Sequence, residues 1–412
     1  MDTHPRAQAG GGEGGVGMLK RVISTEKIPV KLWLDDLEAG AEAQARNVAN
    51  LPFAFRHVAI MPDGHQGYGM PIGGVLATQG AVIPNAVGVD IGCGMCAVRT
   101  DLTEIDTESL KRIMGRIRTA IPVGFDHQKE AQDEALMPAL FCSLAEFHGD
   151  PITRQQYRPA LCQIGTLGGG NHFIEIQKGS DGHVWAMIHS GSRNIGLKVA
   201  KHYNELAVTL AEKWWSSIPK QWELAFLPFD SQEARAYLWE MQFCVEFALA
   251  NRKLMMERVG QAFCQELGGS WPPASGIINI AHNYAAMENH FGSNVLVHRK
   301  GATRAREGEV GIIPGSQGTK SYIVRGKGNR ESFESCSHGA GRRMGRKQAC
   351  RELSLVDEAA KMDAQGIIHA VRAQGDLDEA PGAYKDIATV MANQEDLVDI
   401  VVELSPLGVI KA

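Results

Sequence analysis

The chain has 412 residues, 44% of them hydrophobic and 22% charged, with a formal net charge of -5. That is an ordinary globular composition with material for a large core, and it excludes a protein that coats nucleic acid over its whole surface. No apolar run approaches the roughly 20 residues of a membrane span, the N-terminus lacks a signal-peptide pattern, and eight unpatterned cysteines point to a reducing cytoplasm, not a disulfide scaffold.

Residues 1–18 form a Gly-rich leader expected to be disordered, with folding expected to start at Leu19. Leu37 to Asn50 reads as a helix, Val58 to Val98 as strands and turns, and Glu104 to Thr119 as a second helix capped by Thr103. Within the strand region, Asp90-Ile91-Gly92-Cys93-Gly94 sets a hard carboxylate and a soft thiol three residues apart. Such a segment suits a borderline ion such as manganese, iron or zinc. Cys96 makes the stretch a Cys-x-x-Cys, but a redox pair needs a thioredoxin-like strand–helix context that is missing here. A structural zinc site needs a second close pair, and Cys142, Cys162, Cys244, Cys264, Cys336 and Cys350 stand alone. A buried, inert cysteine is the remaining alternative.

Gly168-Gly169-Gly170 leads to Asn171 and His172 at the mouth of a strand, and His189 stands at the end of another. Leu197 to Trp215 and Ser231 to Leu267 read as long scaffold helices, with Trp214, Trp215, Trp222 and Trp239 as core, not base-stacking, residues. His282 is expected near the start of a helix running to about Phe291. A lone histidine is weak evidence for metal, but Asp90, Cys93, His172, His189 and His282 together exceed one tetrahedral site. Five such ligands with a bridging thiolate suit a pair of metals. His4, His127, His148, His183, His202 and His369 lack such contexts and are left as surface or core.

Pro314 to Ser321 resembles a phosphate loop but lacks the four-residue gap of a Walker motif. Ser335 to Arg343 presents His338 between hydroxyls and glycines at an expected helix start, where backbone amides favour phosphate. A neutral imidazole there could attack phosphorus and hold it as a phosphoramidate; the bland alternative is a histidine that merely packs. Between Arg299 and Arg351 stand 13 Lys and Arg against four Glu, a segment that a polyanion could bind or that could be a solvated basic face.

Taken together, these segments resemble the RtcB family of RNA-splicing ligases, from about residue 19 to Ala412. The runs Met61 to Gly67, Val89 to Gly94, Gly168 to Glu175, His189 to Arg193, His282 to Tyr284, Ile313 to Gln317 and Ser337 to Arg342 occur in that family's order. The resemblance implies an irregular α/β (α+β) fold with a β-sandwich-like core. Residues 19–412 would then be one catalytic domain, with a helical segment at about 197–267. It implies a GTP- and manganese-dependent ligase, acting in tRNA splicing or RNA repair, that joins an RNA 3'-phosphate or 2',3'-cyclic phosphate to a 5'-hydroxyl. His338 would take GMP, and Asp63 would orient it. One manganese would be held by Asp90, Cys93 and His172, the other by Cys93, His189 and His282. Guanine-nucleotide contacts would come from Asn171, His172, Phe173, Ile174, Glu175, His282, Asn283, Pro314, Gly315, Ser316, Gln317, Ser321, His338, Gly339, Ala340, Gly341 and Lys411. The implied protein is a cytoplasmic monomer without a membrane partner, with room for an activating protein. The basic segment becomes its RNA and triphosphate face. Tyr68 stands where some members carry Lys, and Cys96 where others carry Asn, which makes Cys96 a doubtful ligand. Two rivals remain: a metal-dependent RNA phosphoesterase without nucleotide transfer, and a non-catalytic RNA-binding module.

Overall fold

The computed structural model describes residues 19–139, 149–271 and 276–412. The Gly-rich leader at 1–18, with His4, and the residues Cys142 and His148 lie outside them. Short apolar runs broken by glycine become strands, and these assemble into two main sheets. The first has six strands in the order Arg21–Ile23, Val30–Leu32, Ala54–His65, Ile72–Thr78, Ser293–Lys300 and Asn283–His290. The second has seven, in the order Ile278–Ala281, Gly94–Arg99, Val184–Ser190, Phe173–Gly179, Val398–Ile410, Ser321–Gly326 and Val310–Ile313, all antiparallel.

The second sheet curls until its two edge strands approach one another, which makes it nearly a closed barrel. Successive side chains alternate between its faces, as the strand period requires. Met95, Ala97, Trp185 and Met187 fill the interior with Ile312, Ile323, Val402 and Leu404. Cys96, Val98, Ala186 and Ile188 face outward against the helices Thr107–Ala120 and Gln232–Leu267. The expected mixed α/β architecture is therefore present. Cys96 is part of this outer packing, and burial pushes its thiol up to about 12.

Several local expectations are revised. The helix Thr107–Ala120 is capped by Asp106, whose carboxylate accepts from the N–H groups of Glu108 and Ser109, not by Thr103. The helix Arg193–Lys213 starts four residues before Leu197, while Gln232–Leu267 is capped by Ser231. Most consequential, His282 precedes a strand, not a helix. Asn283–His290 pairs with Ser293–Lys300 across a two-residue turn at Phe291 and Gly292, both with positive φ, the geometry that matches strand twist in tight hairpins. His338 likewise follows the strand Ser335–Ser337, and the next helix begins at Arg346. His338 therefore has no helix N-terminus beside it to favour phosphate.

His282 lies where the chain leaves the second sheet and enters the first. Its N–H donates to Cys93 O at 2.8 Å, and Gly92 N–H donates to Asn283 O at 2.8 Å. Gly94 makes this approach feasible: a Cβ there would stand 2.0 Å from Ile280 O. Among the described residues no helix is long and apolar enough to cross a membrane.

Candidate active site

Asp90 and Cys93 sit on the turn that leads into Gly94–Arg99, His172 just before Phe173–Gly179, and His189 near the end of Val184–Ser190. Pairing of these three neighbouring strands brings their ends together. Cys93 Sγ lies 3.3 Å from His189 Nε2 and 3.5 Å from His172 Nε2. His172 Nε2 is also 3.1 Å from Asp90 Oδ2. Each imidazole is turned by its other nitrogen: Nδ1–H of His172 donates to Leu167 O, and that of His189 to Asn171 O, both at 3.0 Å. The Nε2 of each ring therefore faces the thiol, where a bound metal would take its lone pair, the usual arrangement of metal-binding histidines.

Cys93, His172 and His189 form one tight group of ligand atoms; His282 is set beside it, with its ring centroid 5.2 Å from that of His189. His282 Nδ1 is buried and has no hydrogen-bond partner. A buried imidazole nitrogen without a partner is costly unless a ligand meets it. Burial, reinforced by the neighbouring histidines, holds His189 and His282 well below the usual imidazole range, in the neutral form that ligates. Burial, and then the Asp90 charge, pushes the Cys93 thiol well up. Burial also acts to raise Asp90, but its hydrogen bond to His172 and the His172 charge outweigh that, and its carboxyl sits below the usual range. A divalent cation would relieve each of these groups at once, so the donor set fits the implied metals.

The next ring in the row is His338, centroid 4.9 Å from His282. Asp63, fully buried near the end of Ala54–His65, accepts three N–H groups on one oxygen. His338 Nδ1–H donates at 2.6 Å, His338 N–H at 2.9 Å and Gly339 N–H at 3.3 Å. The ring is thus held with Nδ1 protonated and Nε2 available.

A cleft of about 900 Å³ opens over these groups. Asp90, Cys93, Asn171, Phe173, Glu175, His189, His282, Asn283, Pro314 to Gln317, His338 to Gly341 and Lys411 line it. His172 and Asp63 stand behind its surface, Ile174 packs into the apolar layer under the sheet, and Ser321 is behind the Pro314 loop. Ser321 Oγ accepts from Gly315 N–H at 3.1 Å, so it shapes the loop. Glu175 Oε1 is buried without a partner, and burial raises this carboxyl well above its usual range against the opposing pull of Lys411 and Gln177.

Sequence reasoning missed two features. Glu379, buried at the cleft wall, gathers Arg342 at 3.1 Å, Arg346 at 3.0 Å and Lys411 at 3.3 Å, and accepts from Tyr384 OH. No local motif announces it. The other is Asn251-Arg252, which with Lys253 interrupts the apolar run from Phe247 to Met256 inside a helix, and that interruption was the available signal. Arg252 donates to Gly92 O at 2.9 Å, Ser190 O at 2.8 Å and Asn279 Oδ1 at 2.8 Å. Asn251 Oδ1 accepts from Gly165 N–H at 2.7 Å, and its amide donates to Gly191 O at 3.1 Å. Together they fasten the turns that carry the candidate ligands.

The basic segment behaves differently from expectation. Arg299 is buried on Glu288, Arg304 pairs with Glu309, Arg306 with Glu334, Lys320 with Glu403 and Lys327 with Asp399. Only Lys300, Arg342, Arg343 and Arg346 of that segment line the cleft.

A possible metal-binding cluster, a carboxylate-oriented histidine and a nucleotide-sized cleft with a cationic wall are the groups that an enzyme of phosphoryl or nucleotidyl transfer needs. The family described as "tRNA-splicing ligase RtcB" matches residues 44–412. RNA-splicing ligase RtcB of Escherichia coli strain K12 is 40% identical over 411 residues, covering 95% of this chain and 99% of that protein. RNA-splicing ligase RtcB1 of a second Escherichia coli strain, ATCC 25922, is 39% identical over the same shares. The tRNA-splicing ligase RtcB of Thermococcus kodakarensis is 31% identical, covering 89% of this chain and 90% of its own. The chain belongs to the RtcB family of RNA-splicing ligases.

Proposed function

We propose that this chain ligates an RNA 3'-phosphate or 2',3'-cyclic phosphate to a 5'-hydroxyl, using GTP and two manganese ions, through a GMP-bearing His338. The observation that carries the reading is the Asp63–His338 pair, with Nδ1 fixed at 2.6 Å and Nε2 free, beside the Cys93 cluster. His338 Nε2 attacks the α-phosphorus of GTP; a P–N bond forms and pyrophosphate leaves. Asp63 stabilises the positive ring by holding Nδ1–H. GMP then passes to the RNA 3'-phosphate, breaking the P–N bond and making an anhydride. The 5'-hydroxyl oxygen attacks the RNA phosphorus, loses its proton and releases GMP. A cyclic end is first opened by water to the 3'-phosphate.

Asp90, Cys93 and His172 would hold one ion, and Cys93, His189 and His282 the other. When bound, these ions supply Lewis-acid neutralisation of phosphate charge. The partnerless Glu175 Oε1 suits the N–H edge of guanine, and Phe173, Asn283, Pro314 to Gln317, Gly339 to Gly341 and Lys411 complete the nucleotide wall. Residues 19–412 act as one catalytic unit and a monomer, in tRNA splicing or RNA repair, with an activating protein as a compatible addition. The seven described cysteines are all free thiols, which suits the cytoplasm.

The test is covalent labelling with α-labelled GTP and manganese. The bond is expected to be acid-labile and alkali-stable, and to vanish in His338→Ala. Labelling that survives His338→Ala, or none in the parent, sinks the proposal; removal of RNA 3'-phosphate without GTP would favour the phosphoesterase rival.

A further inference from the structure

A second cavity, of about 540 Å³, is separate from the cleft over His338. One wall is a face of the helix Thr107–Ala120, where Lys111, Met114, Gly115 and Arg118 recur at helical spacing and so stand on one side. Another is the segment after the helix Leu355–Asp363, which supplies His369 and Arg372. That segment is pinned by its backbone. Ile368 N–H donates to Leu407 O at 3.0 Å, Val409 N–H donates to Ile368 O at 2.7 Å, and Arg372 N–H donates to Asp376 Oδ2 at 2.8 Å.

Charge in this cavity is unbalanced. Lys111 pairs with Glu108, and Lys411, which lines both cavities, pairs with Glu379. Arg118 and Arg372 differ: among the described residues neither guanidinium has a hydrogen bond or an ion pair. Burial lowers Arg118, and the Arg372 charge beside it acts in the same direction. Two like charges thus share the wall without a counter-ion, and a bound anion would relieve them.

His369 supplies an independent sign. It is only 3% exposed, Asp363 Oδ1 holds its Nε2 at 3.1 Å, and its Nδ1 is buried without a partner. Such a nitrogen is costly unless a ligand meets it. Between the two cations of the helix face stands Gly115, where an added Cβ would meet nothing within 4 Å. No packing contact requires this glycine, which weakens a helix, and it leaves the cavity floor open.

We propose that this cavity is a phosphate-binding site held by Arg118, Arg372 and His369. Phosphate oxygens match guanidinium forks and leave an edge for the imidazole. The group is either a backbone phosphate of RNA or a free phosphate, since the same three side chains serve both. None of the three lines the cleft over His338, so the inference stands apart from the ligase reading.

The test compares the parent with Arg118→Gln/Arg372→Gln in two arms. The first titrates RNA bearing hydroxyls at both ends, which cannot be ligated, across a range of salt concentrations. Loss of two backbone contacts is expected to flatten the slope of log affinity against log salt by roughly 1 to 1.5, and Arg372→Gln alone by about half of that. The second arm titrates inorganic phosphate into the metal-free protein by calorimetry, where one site of the parent is expected to weaken by roughly 10-fold or more in the double variant. A change in the RNA arm assigns the site to RNA, and a change in the phosphate arm alone assigns it to free phosphate. An unchanged melting midpoint shows that the variants are folded. Parent and double variant that agree in both arms overturn the proposal.

Discussion

Asp63 concentrates three N–H donors on one oxygen, and that geometry fixes which nitrogen of His338 can react. Asp63→Asn would offer an amide in place of an acceptor carboxylate and permit the wrong tautomer. We expect the rate of protein labelling by GTP to fall by roughly 10²- to 10⁴-fold, the scale of such tautomer errors in catalytic triads, measured as single-turnover incorporation. Cys93→Ala removes the group that touches both His172 and His189. Its expected signature is loss of bound manganese by metal analysis after dialysis, and a ratio equal to the parent's would refute the bridging role. At this scale the sequence was highly legible. Asp90, Cys93, His172 and His189 stood in glycine-rich or strand-end contexts that could be read locally, whereas the helix starts read for His282 and His338 are strand boundaries. Glu379 was not legible, because its importance comes from cations supplied by two other segments, Arg342 and Arg346 on one and Lys411 on the other.

The helix Gln232–Leu267 is more than a support. Arg252, buried in it, is fastened to Gly92, Ser190, Asn279 and Ile280, and burial lowers its guanidinium to about 10. Arg252→Met keeps the length and removes the donors, stranding buried carbonyls. The expected loss is about 3 kcal/mol, read by urea denaturation, together with weaker manganese binding; a variant as stable as the parent would contradict this account. Long amphipathic helices were legible from period alone, whereas Asn283–His290 was not. Its Ala285, Ala286, Met287 and Glu288 favour helix locally, but pairing with Ser293–Lys300 and the Phe291-Gly292 turn override that preference. The Asp106 cap was similarly hidden, since Thr103 and Asp106 both qualify as cap residues and only the hydrogen bonds distinguish them.

For the whole molecule, charge and burial set the response to acid. Burial lowers His298 to about 4, and its Nε2 accepts from Ile83 N–H at 3.1 Å, a bond that protonation abolishes. Burial, with Lys31 and Arg56 nearby, lowers His57 to about 3. In the unfolded chain both would protonate near 6.5. Below that pH the unfolded state binds protons that the folded state refuses, so stability is full above about 6.5 and is lost as pH falls toward 4 and then 3. Glu288 acts in the same direction at lower pH. Burial would raise it, but His290 and Arg299 hold it at about 2, so its contribution fades from about 4.5 downward. Urea unfolding of the metal-free protein at pH 7, 5.5 and 4.5 is expected to show steadily falling stability; a flat profile would contradict this assignment. Net charge and the excess of Lys and Arg between Arg299 and Arg351 were visible in the sequence, but Glu403, which pairs with Lys320, and Asp399, which pairs with Lys327, come from far along the chain.

Asp63 and His338 stand 275 residues apart, and no shorter stretch of chain contains both. At a ribosomal pace of roughly 5–20 residues per second, Asp63 waits on the order of 15 to 55 seconds for its imidazole. A chain released before His338 is made would lack the histidine that the proposed reaction uses, and also the strand Val398–Ile410, which pairs with both Phe173–Gly179 and Ser321–Gly326 in the sheet that carries the candidate ligands. On the proposed mechanism both residues are needed, so the distant pairing ties activity to synthesis of the chain from Asp63 through His338.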